Sequence, residues 1–134
     1  MAVLVDTSVW SLLFRKNGPA PEPQVTELQR LLRGDDLVAT TGVIAQELFY
    51  GLGASADAER VARAFRALRY LAPTLDQHIA AARLRRDLRT TGIQVSSADA
   101  LIAHLAATHD LTLLTTDQDF THVAAHVPLR LWTP

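Results

Sequence analysis

The chain has 134 residues, of which 49% are hydrophobic and 20% charged, and its net charge is −1. This profile is typical of one globular domain, here residues 1–134, and the lack of cysteine excludes disulfides, a thiolate nucleophile and sulfur-ligated metals. No apolar run approaches the roughly 20 residues of a membrane span, and the start of the chain lacks a basic segment, so we expect a cytoplasmic protein with no membrane partner.

Short apolar runs alternate with helical patterns along the chain. The pattern predicts strands at 2–5, 37–41, 70–73, 111–116 and 129–132. It predicts helices at 9–16, 24–33, 42–53, 55–69, 74–91, 96–110 and 120–126, and a loop at 17–23. Strands that alternate with helices indicate right-handed crossovers. We therefore predict an α/β fold, a single-domain three-layer α/β/α sandwich with a central parallel sheet of about five strands.

Acidic residues follow two of the predicted strands. Asp6 comes after the first strand and Asp117 after the fourth, and the helices that carry Glu47 and Asp99 start from the same edge of the sheet. Ligands of such sheets bind beyond the carboxyl ends of the strands. The sequence therefore predicts that these four acids lie together.

Each acid also has a structural interpretation that stays open. Asp6 is a suitable N-cap, and Asp99 lies three residues after Ser96, as in an acidic variant of the capping box. Asp117 and Asp119 could cap the short helix that follows them.

Glu47 is harder to explain as a structural residue. Val43 and Ile44 place it on the apolar face of its predicted helix, and no lysine or arginine stands three or four residues away. A buried, unpaired carboxylate costs several kcal/mol or takes up a proton. We therefore expect a partner from outside the core.

A cluster of carboxylates without a base favours a divalent cation. Converging carboxylates raise one another's pKa, and an all-oxygen ligand set is typical of Mg²⁺ or Mn²⁺. Four hydroxyl side chains are expected to orient the carboxylates or bound water: Thr7, Ser97, Thr115 and Thr116.

The middle of the chain is rich in arginine. Residues 57–92 hold eight arginines against four acids, a local balance of +4. Arg63 and Arg66 fall opposite the apolar stripe of their helix. They form either a solvated helix face or a basic surface for a polyanion, since arginine binds phosphate oxygens in a bidentate manner.

Four segments resemble one family. "VLVDTSVW", "VIAQELFYG", "SADALIAHLA" and "LLTTDQDF", in this order and spacing, resemble the PIN-domain ribonucleases, and among them the VapC-type toxins of bacterial toxin–antitoxin pairs. The resemblance implies that Asp6, Glu47, Asp99 and Asp117 are catalytic and hold Mg²⁺, for which Mn²⁺ can substitute. Asp119 matches an accessory acid of the family.

The resemblance also implies an activity and partners. The expected activity is Mg-dependent cleavage of single-stranded or looped RNA by metal-activated water, with 3′-hydroxyl and 5′-phosphate products. The expected partners are the RNA substrate, a small cognate antitoxin and a second copy of the chain in a homodimer. Arg63 and Arg66 become candidate contacts to the RNA backbone.

Other classes of protein fit the residues less well. A catalytically silent PIN-fold module that binds RNA or protein stays open, although the acid set is complete. A phosphoacceptor domain would need a lysine near the phosphoryl group, and the single lysine, Lys16, falls in a predicted loop. A phosphatase of the haloacid dehalogenase kind would need two acids spaced by one after the first strand, where this chain has "DTS".

Overall fold

The computed structural model describes residues 1–134. The strands are β1 (Ala2–Val5), β2 (Leu37–Thr41), β3 (Arg69–Leu71), β4 (Thr112–Leu114) and β5 (Arg130–Leu131). The helices are α1 (Thr7–Leu13), α2 (Pro23–Arg33), α3 (Gly42–Leu52), α4 (Ala56–Arg66), α5 (Leu75–Thr90), α6 (Ser97–Thr108) and α7 (Asp119–Ala124).

All five strands pair in parallel, in the order β3-β2-β1-β4-β5. The chain moves outward from β1 to β3 and then crosses to β4 on the other side of β1. Because parallel crossovers are right-handed, this reversal places helices on both faces of the sheet. The predicted α/β fold with a five-stranded parallel sheet is confirmed. The reversal point, between β1 and β4, is where such sheets bind ligands.

One apolar core joins the layers. Val3, Leu4 and Val5 of the central strand are fully buried, as a strand covered on both faces requires. Helix α6 buries half of its twelve residues, in agreement with its nearly all-apolar sequence. On the opposite side, Trp10 of α1 is stacked on Phe14. No helix combines the length and the hydrophobicity that crossing a bilayer demands.

The observed bounds differ from the predicted ones at a few element ends. Pro23 belongs to α2 and not to the preceding loop, because proline at the first helical position loses no helical hydrogen bond. Helix α1 starts earlier than predicted, since Asp6 caps it from the residue before Thr7. Helix α4 ends at Arg66, and Arg69, predicted as helical, pairs with Ala39 in the sheet. Sheet pairing there outweighs the helix propensity of arginine.

Two adjacent threonines of β2 provide a matched test of buried hydrogen bonding. Both are buried, but Thr41 Oγ1 donates to the Leu71 carbonyl oxygen at 2.7 Å, whereas Thr40 Oγ1 has no partner. We expect Thr41→Val to lower the free energy of unfolding by about 1–3 kcal/mol and Thr40→Val to leave it unchanged or raise it. Urea denaturation of both variants measures the difference. Equal losses would contradict the assignment.

Candidate active site

Asp6 is the most constrained acid of the chain. It directly follows β1 and is only 6% exposed. Its Oδ1 accepts from the Thr7 backbone N–H at 2.9 Å, and its Oδ2 accepts from the hydroxyls of Ser8 at 2.9 Å and Thr115 at 2.8 Å. Asp6 is therefore the N-cap of α1, as one interpretation of the sequence holds, but two further donors also fix its carboxylate, Ser8 from α1 and Thr115 from the end of β4.

The same hydroxyls hold the turn after β4 in place. Ser8 Oγ accepts from the Thr116 backbone N–H at 3.2 Å, and Thr115 Oγ1 accepts from the Asp117 backbone N–H at 3.0 Å. Asp6 N donates to the Leu114 carbonyl oxygen at 2.9 Å, so the pairing of β1 with β4 continues to the edge. The ends of the two central strands thus form one hydrogen-bonded unit.

Asp99 lies in the first turn of α6 and is half-buried. Its backbone N–H donates to Ser96 Oγ at 3.0 Å, which caps the helix. The pKa of its carboxyl is raised to about 6, chiefly by burial and then by the negative charges of Asp6 and Asp117, while hydrogen bonding by Ser96 works in the opposite direction. The charge of Glu47 makes a smaller contribution to the increase. All four predicted acids therefore interact electrostatically at one edge of the sheet.

The sequence-based expectation for Glu47 needs a correction. Glu47 is exposed, because the buried stripe of α3 is narrow and consists of Ile44 and Leu48. Its Oε1 accepts from the Thr7 hydroxyl at 3.0 Å, so its observed partner is the residue that follows Asp6. None of the ion pairs of the chain involves Glu47. We call the region at the carboxyl ends of β1 and β4, where Asp6, Glu47, Asp99 and Asp117 lie, the acid edge.

Asp117 and Asp119 differ in their surroundings. Asp117 is partly buried, and its Oδ1 accepts from the Asp119 backbone N–H at 2.9 Å at the start of α7. The Asp119 side chain is exposed and accepts no hydrogen bond. Asp117 thus binds the backbone of the first residue of α7 and also lies among the acids, although the N-cap of α7 is Gln118. Asp119 makes no contact with the other acids through its side chain.

No base neutralises this acid edge. The ion pairs of the chain join other residues, and none involves Asp6, Glu47, Asp99 or Asp117. No three of the acidic side chains already converge as a set of metal ligands. The four predicted acids are neighbours whose excess negative charge is uncompensated within the chain.

The predicted orienting hydroxyls divide into three groups. Thr7 and Thr115 bond to the acids through their hydroxyls, and Thr116 contributes through its backbone N–H. Ser97 is exposed and makes no hydrogen bond to an acid. Ser8 was not predicted as a site residue, although its hydroxyl binds the Asp6 carboxylate. The signal was present in "DTS", since a hydroxyl two residues after an N-cap aspartate can reach back to its carboxylate.

The sequence profile of the PIN domain family matches residues 3–126. The chain belongs to the PIN domain family. Among curated protein sequences, none matches the chain.

Solved structures resemble this PIN domain over its whole length. VapBC-5 from Mycobacterium tuberculosis, of the VapBC family of toxin–antitoxin systems, shares 28% identity at a TM-score of 0.69, with 100% of each chain covered. VapBC2 from Rickettsia felis, bound to a DNA fragment of its promoter, shares 22% at 0.72 and covers 99% of this chain and 100% of that chain. VapC20 from M. tuberculosis, a toxin that cleaves the sarcin–ricin loop, shares 23% at 0.68, with 94% and 96% covered. The predicted resemblance to VapC toxins is confirmed.

Arg63 and Arg66 of this PIN domain project from α4. Both are exposed and neither forms an ion pair, while Arg60 on the same helix pairs with Asp57 at 3.1 Å. Arg66 borders a small, mostly apolar pocket of about 420 Å³ next to Phe65. Their contact with RNA stays a prediction.

The raised pKa of Asp99 predicts how stability depends on pH in the absence of metal. Between the ordinary value of 3.8 and about 6, the unfolded chain ionises at Asp99 while the folded protein holds its proton, so stability falls as pH rises and the loss persists above pH 6. Asp99→Asn removes this loss. With allowance for solvent screening of a half-buried group, we expect a gain of about 1 kcal/mol at pH 7.5, roughly 3 °C in melting temperature.

Thermal melts of wild type and Asp99→Asn in EDTA test the expected gain in stability. The melts should run from pH 3.5 to pH 8, which spans the Asp99 pKa of about 3.8 in the unfolded chain and about 6 in the folded protein. The two curves should meet at the acid end. A variant less stable than wild type at neutral pH would show that Asp99 stabilises the fold.

Proposed function

We propose that this PIN domain is a magnesium-dependent endoribonuclease and the toxin of a toxin–antitoxin pair. The observation that carries the proposal is the acid edge itself, where Asp6, Asp117 and Glu47 all act on the pKa of Asp99 and no base compensates them. Membership of the PIN family supports the nuclease class. The likeness to VapC20, described as an RNA-loop-cleaving toxin, points to RNA.

The donor chemistry of the edge fits magnesium. Its side chains offer only carboxylate and hydroxyl oxygens, the ligands that hard divalent cations prefer. Asp6, Asp99 and Asp117 would hold the ion, with Glu47 at the exposed rim and Asp119 as an accessory acid; manganese could substitute. The chemistry that such an ion supplies is activation of a water as nucleophile and neutralisation of charge on the scissile phosphate.

The chain's own residues prepare the edge for that charge. A carboxylate has about four acceptor positions, and three on Asp6 are taken by Thr7, Ser8 and Thr115, so its orientation is set before anything binds. Thr7 also steers Glu47 toward the edge. Side-chain rotation at the rim, where Glu47 is exposed, would complete the ligand set.

The proposed reaction is hydrolysis of a phosphodiester in single-stranded or looped RNA. Water attacks the phosphorus in line, the bond to the 3′ oxygen breaks, and the products carry a 3′-hydroxyl and a 5′-phosphate. Ordering of the edge before binding lowers the reorganisation needed in the transition state.

We also propose a small antitoxin as the protein partner, a homodimer as the assembly and the cytoplasm as the location. The structural matches include toxin–antitoxin complexes, which supports the first of these. An antitoxin that inhibits the proposed site needs a positive charge to compensate the carboxylates of the acid edge. An arginine is suited to this role because it can bind a carboxylate in a bidentate manner.

Divalent-dependent RNA cleavage is the direct test of the proposed activity. Purified protein should cut single-stranded RNA with Mg²⁺ or Mn²⁺ and stop when EDTA is added, with 5′-phosphates on the downstream fragments. Cleavage that is equal with and without chelator would refute the mechanism. Absence of cleavage in clean, folded protein would favour a catalytically silent module.

The variant Asp6→Asn distinguishes two possible roles of Asp6, a metal ligand and a helix N-cap. Asparagine caps helices about as well as aspartate, but its amide nitrogen cannot accept from both Ser8 and Thr115, so a purely structural Asp6 predicts some loss of stability with an unchanged Mg²⁺ shift and unchanged activity. In EDTA, relief of the repulsion among the acids should offset part of that loss, so the response to Mg²⁺ decides whether Asp6 is a ligand. If it is, the rise in melting temperature that Mg²⁺ gives wild type should shrink, and cleavage should fall by orders of magnitude.

Asp35→Asn is the matched control for this variant. Asp35 is exposed, forms no ion pair and precedes β2, at the sheet edge away from the acids. It should keep both the Mg²⁺ shift and the activity. If Asp6→Asn keeps them as well, Asp6 is a cap and the proposed site is wrong.

A further inference from the structure

A groove runs along α5, from His78 to Thr90, and faces the start of α6 and the segment before it. Its volume is about 1080 Å³. Arg85, Arg86 and Arg89 line it from α5, and Val95 and Ser97 line it from the opposite side. We call it the arginine groove. None of these residues was predicted from the sequence to bind RNA, since the candidates there were Arg63 and Arg66 of α4.

The positive charge of the arginine groove is uncompensated. None of the ion pairs of the chain involves an arginine of α5, and no acidic residue lines the groove. Arg85 Nε donates to the Val95 carbonyl oxygen at 2.9 Å, which ties one guanidinium to the wall and leaves its other donors free. Arg86 and Arg89 are exposed and three residues apart, on one face of the helix.

The arginine groove borders the elements that carry two of the acids. Ser97 and Ala98 line it, and Asp99 is the next residue of α6. Val43 lines it from α3, and Glu47 lies one helical turn further along the same face. The acids themselves do not line the groove, so a chain held in it would continue past α3 and α6 to the acid edge.

We propose that the arginine groove binds the sugar–phosphate backbone of the RNA strand beside the scissile bond. This inference rests on the proposed function, since the strand is the substrate of the acid edge. The stripe from His78 to Arg89 is roughly 16 Å long at 1.5 Å per residue, enough for more than one phosphate. The groove has no Phe, Tyr or Trp on which bases could stack, so it holds backbone and not sequence.

The test is binding of single-stranded RNA in EDTA, where no cleavage intervenes, measured by fluorescence anisotropy across a range of salt concentrations. Each phosphate contact on a single strand contributes about 0.7 to the slope of log affinity against log salt. Arg86→Ala/Arg89→Ala should lower that slope by about 1.4 and weaken binding about tenfold near 0.15 M salt, equally for RNAs of different sequence. Arg86→Lys/Arg89→Lys should recover most of the affinity.

Two further double variants remove the same charge elsewhere. Arg33→Ala/Arg83→Ala is the control, because both arginines are exposed and unpaired and neither lines the arginine groove; it should leave the slope nearly unchanged. Arg63→Ala/Arg66→Ala tests the alternative surface on α4. Equal losses in all three pairs, or a loss only with the α4 pair, would overturn the inference.

Two measurements keep the outcomes apart. Thermal melts show whether each variant is folded. Sedimentation shows whether Arg86→Ala/Arg89→Ala changes the oligomeric state. If the oligomeric state changes while RNA binding measured by anisotropy stays intact, the groove is a protein contact and the inference is refuted. Cleavage by wild type with Mg²⁺ is scored separately, so failure of the nuclease proposal is not confused with failure of the arginine groove.

Discussion

The hydrogen bonds that cross from β1 to β4 at the edge of the sheet are the interaction on which the site depends. Asp6 at the end of β1 is held by Thr115 from the end of β4, and Ser8 binds both the Asp6 carboxylate and the turn that leads to Asp117. Without these donors, mutual repulsion would drive the carboxylates toward solvent and apart. The bonds hold the Asp6 carboxylate in place, and its negative charge adds to the burial that raises the pKa of Asp99.

This arrangement follows from topology as much as from residue type. Strand order reverses between β1 and β4, and only there do two neighbouring strands send their connections to opposite faces of the sheet. Asp6 and Asp117 border the resulting crevice, while α3 and α6 bring Glu47 and Asp99 to it. A fold with antiparallel pairing would have placed the ends of β1 and β4 at opposite edges, and the same acids would not have met.

Much of this could be predicted from the sequence, for an identifiable reason. Continuous apolar runs ending in acids mark strands and their carboxyl ends, and parallel sheets gather those ends at one edge whatever the order of strands. Features that depend on tertiary packing could not be predicted. Helical periodicity does not show how wide a buried stripe is, so Glu47 was placed on the wrong side of the boundary between core and solvent. The second role of Ser8 needs β4 as a neighbour, which local sequence does not specify.

The arginines also show which features composition reveals and which need the tertiary structure. An excess of positive charge in residues 57–92 is visible in the sequence, but its division between α4 and α5 acquires meaning only once α5 packs against α6 and leaves a groove. In this proposal, RNA binding needs positive charge, whereas the proposed cleavage site is built from negatively charged carboxylates. In the proposed mechanism, a polyanion is attracted by Arg86 and Arg89 and repelled by the uncompensated acids, so the acid edge opposes its own substrate until a cation offsets its charge. The proposed separation of the two charges into different sites would let RNA be held without metal and would make access of the scissile phosphate to the acid edge the metal-dependent step.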